Sequence, residues 1–318
     1  MIKGKNKKVQ WVAVLLTLVL LVSTIPISVS AETTAGKDKA MWAWFPNQDI
    51  KTEDGRKEMV AFAKEKGVNV IYLNIGERDS DPYLEMHPEQ YRDFIRLAHA
   101  NDIKVYALDG AAEWAKQENY KIPISRMLNV FMYNHNSSVE EQFDGIQFDI
   151  EPYLLDEWDT DGRSQLIQEY LNGLKVLSDK ADAYGKSHDF EFMVAMPFWF
   201  DGEEYETTYR SKSKPLSDHV MDIVSNVALM AYRDFAEGRD SITYHTEHEV
   251  EYANEIGAKA VIGVETQYLE PYEKVSFFEE GEAYMNKQLQ IVDQIYFGQL
   301  GYGGQAVHKY QSYQTMKP

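Results

Sequence analysis

The 318-residue chain has no cysteine. Disulfides, thiol nucleophiles and a lipid-modified cysteine near the N-terminus are therefore excluded. Positive charge is also scarce: 32 Lys and Arg stand against 51 Asp and Glu, a formal net charge of −19. Phosphate backbones are held by positive surfaces, so this balance argues against nucleic acid as a partner. No glycine-rich phosphate loop and no serine nucleophile elbow is present. His245 and His248 lack a third ligand at metal spacing, and Asp156, Asp159 and Asp161 lack a calcium-loop pattern, so neither a metal nor a cofactor is expected. The ten prolines form no proline-rich linker that would divide the chain into domains.

Long apolar runs are nearly missing too, with one exception. Lys3, Lys5, Lys7 and Lys8 precede the run 11–22, and small and polar residues follow it up to Val29-Ser30-Ala31. This layout predicts a secretory signal peptide over 1–31, cleaved after Ala31, because the run falls short of the ~20 residues a membrane span requires. The expectation is a secreted domain over 32–318 with no stable membrane insertion after cleavage. Cleavage deletes four lysines and no acids, taking the formal net charge from −19 to −23.

What is present is a repeated alternation of apolar strands and amphipathic helices. Strands are predicted at 39–45, 68–75, 103–108, within 143–152, and at 190–198, 224–232, 258–265 and 302–310. Between them the 3.6-residue period predicts helices at 56–66, 88–101, 124–141, 163–184, 241–256 and 279–296, with a helical turn at 215–221. Eight strands alternating with helices over one domain-length argue for a single α/β domain, a closed (β/α)8 TIM barrel, with its chemistry at the carboxyl ends of the strands.

Those strand ends are rich in polar and aromatic residues. Trp44, Asn74, Glu77, Asp109, Trp199, Arg233, Glu265, Gln267, His308 and Tyr310 are among them. Aromatic faces stack on the C–H faces of sugars while carboxylates and amides bind hydroxyls, so the set suits a carbohydrate. The fourth strand carries the strongest signal, FDGIQFDIEP at 143–152. Strand alternation turns Asp149 and Glu151 the same way, with Gln147 one step deeper. Buried carboxylates are costly unless paired or placed at a site, which makes Asp149 and Glu151 the candidate chemical centre.

Asp144, Gly145, Asp149 and Glu151 form a D-G-x-x-x-D-x-E pattern at a strand end, which resembles the signature of glycoside hydrolase family 18, the chitinases and endo-N-acetylglucosaminidases. A second segment, Leu229-Met230-Ala231-Tyr232, is similar to the family's M-x-Y. The resemblance implies a retaining, substrate-assisted hydrolase of amino-sugar glycans: Glu151 as general acid, Asp149 orienting the substrate's 2-acetamido group, whose oxygen is the nucleophile, and Tyr232 donating to the acetamido carbonyl. The remaining expected substrate contacts are Gln147, Trp44, Asn74, Asp109, Trp199, Arg233, Glu265, His308 and Tyr310. An acidic surface would also favour a cationic, partly deacetylated amino-sugar chain.

The chain departs from the family's pattern at several positions. Gln147 stands where a further Asp is usual, Arg233 where a carboxylate or amide is common, and His308 where a tryptophan normally floors the cleaved sugar. The S-x-G-G segment is only hinted at in Ala107-Leu108-Asp109-Gly110. Two other readings stay open. Glu151 and Glu265, on strands four and seven, match the acid and nucleophile of double-displacement barrel glycosidases, whose carboxyls lie about 5–5.5 Å apart; Glu151-Pro152 looks like that group's Asn-Glu-Pro, with Ile150 in place of the Asn. The third reading is a barrel that binds carbohydrate without cleaving it.

Overall fold

The computed structural model describes residues 37–46, 49–76 and 82–318. The expected signal peptide at 1–31 and Glu77 lie outside the described residues.

Eight parallel strands close into a barrel. They are β1 (Asp38–Ala43), β2 (Val70–Asn74), β3 (Lys104–Asp109), β4 (Gly145–Asp149), β5 (Glu191–Pro197), β8 (Asn226–Met230), β9 (Lys259–Glu265) and β10 (Tyr302–His308). Between β5 and β8 a short antiparallel ribbon, β6 (Thr207–Tyr209) with β7 (Lys212–Lys214), stands apart from the barrel. The helices are α1 (Glu53–Glu65), α2 (Tyr83–Met86), α3 (Pro88–His99), α4 (Lys121–His135), α5 (Arg163–Gly185), α6 (Leu216–Val224), α7 (Glu247–Ile256), α8 (Glu282–Ile295) and α9 (Tyr310–Gln314).

Local chemistry sets several of these boundaries. The Thr52 hydroxyl accepts from the Gly55 amide and starts α1, Pro88 opens α3, and Gly257 in the left-handed region at φ 73° ends α7. Strand alternation then builds two cores. Ala40, Trp42, Tyr72, Tyr106, Leu108, Met193, Ala228, Val261 and Ala306 fill the barrel interior, and the opposite strand faces pack under the helices through Phe94, Phe143, Phe148 and Leu174. Gly263 is part of the interior fit: a Cβ there would lie 2.9 Å from the Trp42 ring.

Two expectations need correction, and some short elements were not foreseen. The helix predicted over 124–141 ends at His135, because Asn136 and Ser137 turn their side chains back onto the Met132 and Tyr133 carbonyls, and a separate 3-10 turn covers Val139–Glu141. The last strand stops at His308, so Tyr310 belongs to α9. The β6–β7 ribbon and the 3-10 turns after β4 and β5 carry too few apolar repeats to register as a period.

Candidate active site

The inward row of β4 enters the barrel through Gln147, whose Oε1 accepts a hydrogen bond from Trp42 Nε1 at 2.5 Å. That bond fixes the amide: its oxygen faces β1, and Nε2 is left as a buried donor without a partner. One step further along the same face, Asp149 Oδ1 is a buried acceptor without a partner. Burial pushes Asp149 far above the ordinary carboxylate range, and the charge of Glu151 pushes it further.

β4 ends at Asp149, so Glu151 sits in the turn beyond it. Burial raises its pKa, and two groups oppose the rise: the Tyr153 hydroxyl, which donates to Glu151 Oε1, and the charge of His308. The two carboxyls titrate as a pair that holds a proton above the usual carboxylate range. Such a pair supplies both an acid and a negative charge within one site.

Tyr232, just past β8, is close enough to Glu265, Asp149 and Glu151 for their charges to add to burial in raising its phenol, which therefore stays a proton donor. Its ring centroid is 6.1 Å from that of His308, whose other neighbour is Trp42 at 5.9 Å. Glu265, at the end of β9, is 3 % exposed and fully engaged. Oε1 accepts the amides of Thr266 and Gln267, both at 2.7 Å; Oε2 accepts from His308 Nδ1 at 2.8 Å and Gln267 Nε2 at 3.3 Å. Burial raises the Glu265 carboxyl, but the hydrogen bond and charge of His308, with the backbone amides of Gln267 and Thr266, outweigh it, and the group ends below its ordinary value.

Other expected contacts have partners of their own. Asn74 is buried at the end of β2, with Nδ2 donating to the Leu108 carbonyl and Oδ1 unpartnered. Trp44 packs on the interior cluster. Trp199 lies edge-on to Tyr153 at 4.9 Å. The first motif acid, Asp144, is architectural: its Oδ2 accepts the Val105 amide at 2.7 Å and bonds His99 Nε2 at 2.9 Å, tying β4 to β3 and α3.

Three expected substrate contacts are occupied elsewhere. Asp109 follows the inward Leu108, so alternation turns it outward, where Oδ2 lies 3.1 Å from Arg126 Nε of α4. Burial pushes this carboxyl up to about 6 despite the guanidinium. Arg233 is paired with Asp240 at 2.8 Å and lies over the Phe198 ring at 4.9 Å. Tyr310 is buried outside the barrel, 5.5 Å from Phe62 of α1. Tyr153 and Trp42 are the contacts that sequence reasoning missed. Tyr153 stands two residues past Glu151, a signal available in the sequence, whereas Trp42 reads there as an ordinary core aromatic.

No protein-family model matches the chain, and no curated protein matches it in sequence. Among solved structures, a family 18 chitinase from Cycas revoluta in complex with (GlcNAc)3 aligns with a TM-score of 0.54 at 10% identity, covering 86% of this chain and 95% of that one. A putative alpha-L-fucosidase from Bacteroides thetaiotaomicron aligns at 0.53 and 13%, covering 86% and 87%. A family 18 chitinase from Pseudoalteromonas aurantia gives 0.47 at 13%, covering 87% and 95%. In fold, the chain is a (β/α)8 barrel similar to those of family 18 chitinases, at a divergence that leaves its chemistry to its own side chains.

Proposed function

We propose that the protein is a secreted glycoside hydrolase that cleaves amino-sugar glycans with retention by a substrate-assisted route. The observation that carries this reading is the pair of carboxyls, Asp149 at the carboxyl end of β4 with a buried, unpartnered oxygen and Glu151 in the turn after it, with the Tyr232 phenol within their field. Glu151, which holds its proton above the usual range, donates to the departing glycosidic oxygen. With the pair's proton on Glu151, the acetamido oxygen attacks the anomeric carbon as that bond breaks, the Asp149 carboxylate accepts a hydrogen bond from the amide N–H and offsets the positive charge of the cyclic intermediate, and Tyr232 donates a hydrogen bond to the acetamido oxygen. Water then opens the intermediate, giving its proton to the Glu151 carboxylate, which returns to its starting state.

The alternative nucleophile, Glu265, fits less well. Its oxygens already accept four hydrogen bonds, and attack on a sugar would require it to give up contacts that keep it ionised. The (GlcNAc)3 bound by the Cycas revoluta chitinase supports an amino-sugar ligand for a barrel of this shape. Secretion rests on the charge and apolar layout of residues 1–31.

The test is Glu151→Gln, assayed on N-acetylglucosamine oligomers. Loss of a positioned general acid lowers kcat by roughly 10²–10⁴-fold, while oligomer binding is retained. Undiminished hydrolysis by the variant, or a wild type that binds a glycan but cleaves none of a broad panel, would overturn the reading.

A further inference from the structure

We propose that Tyr153 is a positioning residue for Glu151: its hydroxyl occupies one carboxyl oxygen and so decides which oxygen carries the acid proton. The inference rests on Glu151 being the acid, and it concerns a residue outside the D-G-x-x-x-D-x-E pattern.

The geometry has two parts. The Tyr153 hydroxyl donates to Glu151 Oε1, which leaves Oε2 as the oxygen able to hold a proton and present it to a leaving group. The phenol itself is fixed, because its ring is wedged edge-on among three aromatics, Trp199 at 4.9 Å, Phe200 at 6.2 Å and Trp158 at 6.3 Å. Phe200 is fully buried and Trp158 nearly so, and they belong to the short turns after β5 and β4. Packing between two strand ends is thereby transmitted to one carboxyl oxygen.

The groups in electrostatic contact with the carboxyl pair come from several elements. They are Asp149 of β4, Tyr153 in the following turn, Tyr170 of α5, Tyr232 after β8 and His308 of β10. Of these, Tyr153 is the one whose hydrogen bond to Glu151 the structure records. Burial and the nearby Glu151 charge raise the Tyr153 phenol well above its ordinary value, so it remains a donor wherever Glu151 titrates. A donor favours the carboxylate, so the bond opposes the rise that burial imposes on Glu151.

The experiment is Tyr153→Phe in the full chain, read by carbon-13 titration of the glutamate side-chain carboxyls, with the Glu151 signal assigned by its absence in Glu151→Gln. Losing a hydrogen bond to a charged acceptor is expected to raise the Glu151 midpoint by about one pH unit. The basic limb of kcat/KM should move up by the same amount, with KM within about twofold of wild type. An unmoved or lowered midpoint in Tyr153→Phe overturns the inference. Should that variant fail to fold, Trp199→Leu, which removes the ring's nearest support, is expected to move the midpoint in the same direction, and no movement there overturns it equally. Full activity in Glu151→Gln would instead sink the acid assignment, whatever Tyr153 does to the titration.

Discussion

Four hydrogen bonds converge on the Glu265 carboxylate, and one of them comes from His308 Nδ1. A carboxylate held this way orients the imidazole through its Nδ1–H. Glu265 then acts through His308, and Glu265→Gln is expected to lower kcat/KM by less than about 100-fold, as loss of an orienting partner does. A nucleophile behaves differently: its removal abolishes turnover, and azide restores it by forming a glycosyl azide. Assaying Glu265→Gln for the size of the loss, and Glu265→Ala with and without azide, checks the assignment, and azide rescue of Glu265→Ala would make Glu265 the nucleophile.

β4 is where local sequence and chemistry meet most closely. Its outward residues Ile146 and Phe148 are fully buried under the helices, its inward residues Gln147 and Asp149 point to the interior, and a one-residue slip would exchange the two sets. The neighbouring strand protects this register through Gly110, at the end of β3, where a Cβ would stand 2.0 Å from the Asp149 carbonyl oxygen. Gly110→Ala must push the ends of β3 and β4 apart. Overpacking of this kind costs about 1–3 kcal/mol, and a displacement near 1 Å at a reacting group can cost roughly 10²-fold in rate. The expected outcome is a folded protein with a lowered melting temperature and about 100-fold lower kcat; wild-type kcat would show that the Asp149 backbone is free to adjust.

For the molecule as a whole, pH dependence of stability has sources beyond the Asp149–Glu151 pair. Glu249 of α7 is fully buried with no hydrogen-bond partner on either carboxyl oxygen, and burial first, then the charge of Asp201, pushes it up to about 8. His248 beside it bonds Asp218 of α6 at 2.8 Å and is raised to about 9, chiefly by that bond. Both folded-state values lie above the unfolded ones, so in each case the folded state binds the proton more tightly. The stability contributed is complete below the unfolded pKa, about 4.3 for Glu and 6.5 for His, and is lost as pH rises through 8 and 9. Thermal stability should therefore decline between pH 6 and 9. Glu249→Gln removes one source of the decline, and above pH 8 it should melt higher than wild type by about 5 °C or more, given that each kcal/mol is worth a few degrees in a chain of this size. Equal melting temperatures at pH 9 would show that Glu249 is hydrated in the folded state.

The sequence by itself determined the barrel and the inward face of its fourth strand. Apolar alternation with period two, helices with period 3.6 and glycine stops are local properties, so the eight strands and the shared face of Gln147 and Asp149 were legible before any tertiary contact was known, whereas Glu151 lies in the turn past the strand. Occupancy was not legible. Asp109, Arg233 and Tyr310 stand near strand ends in the sequence, yet Arg126, Asp240 with Phe198, and Phe62 engage them. Tyr153 and Trp42, unremarkable in sequence, hold Glu151 and Gln147. Such partners can lie far apart in sequence; Trp42 and Gln147 are separated by 105 residues. A polar side chain's role depends on which donor or acceptor reaches it, and closure of the barrel, which brings β1, β4, β9 and β10 to one mouth, decides that.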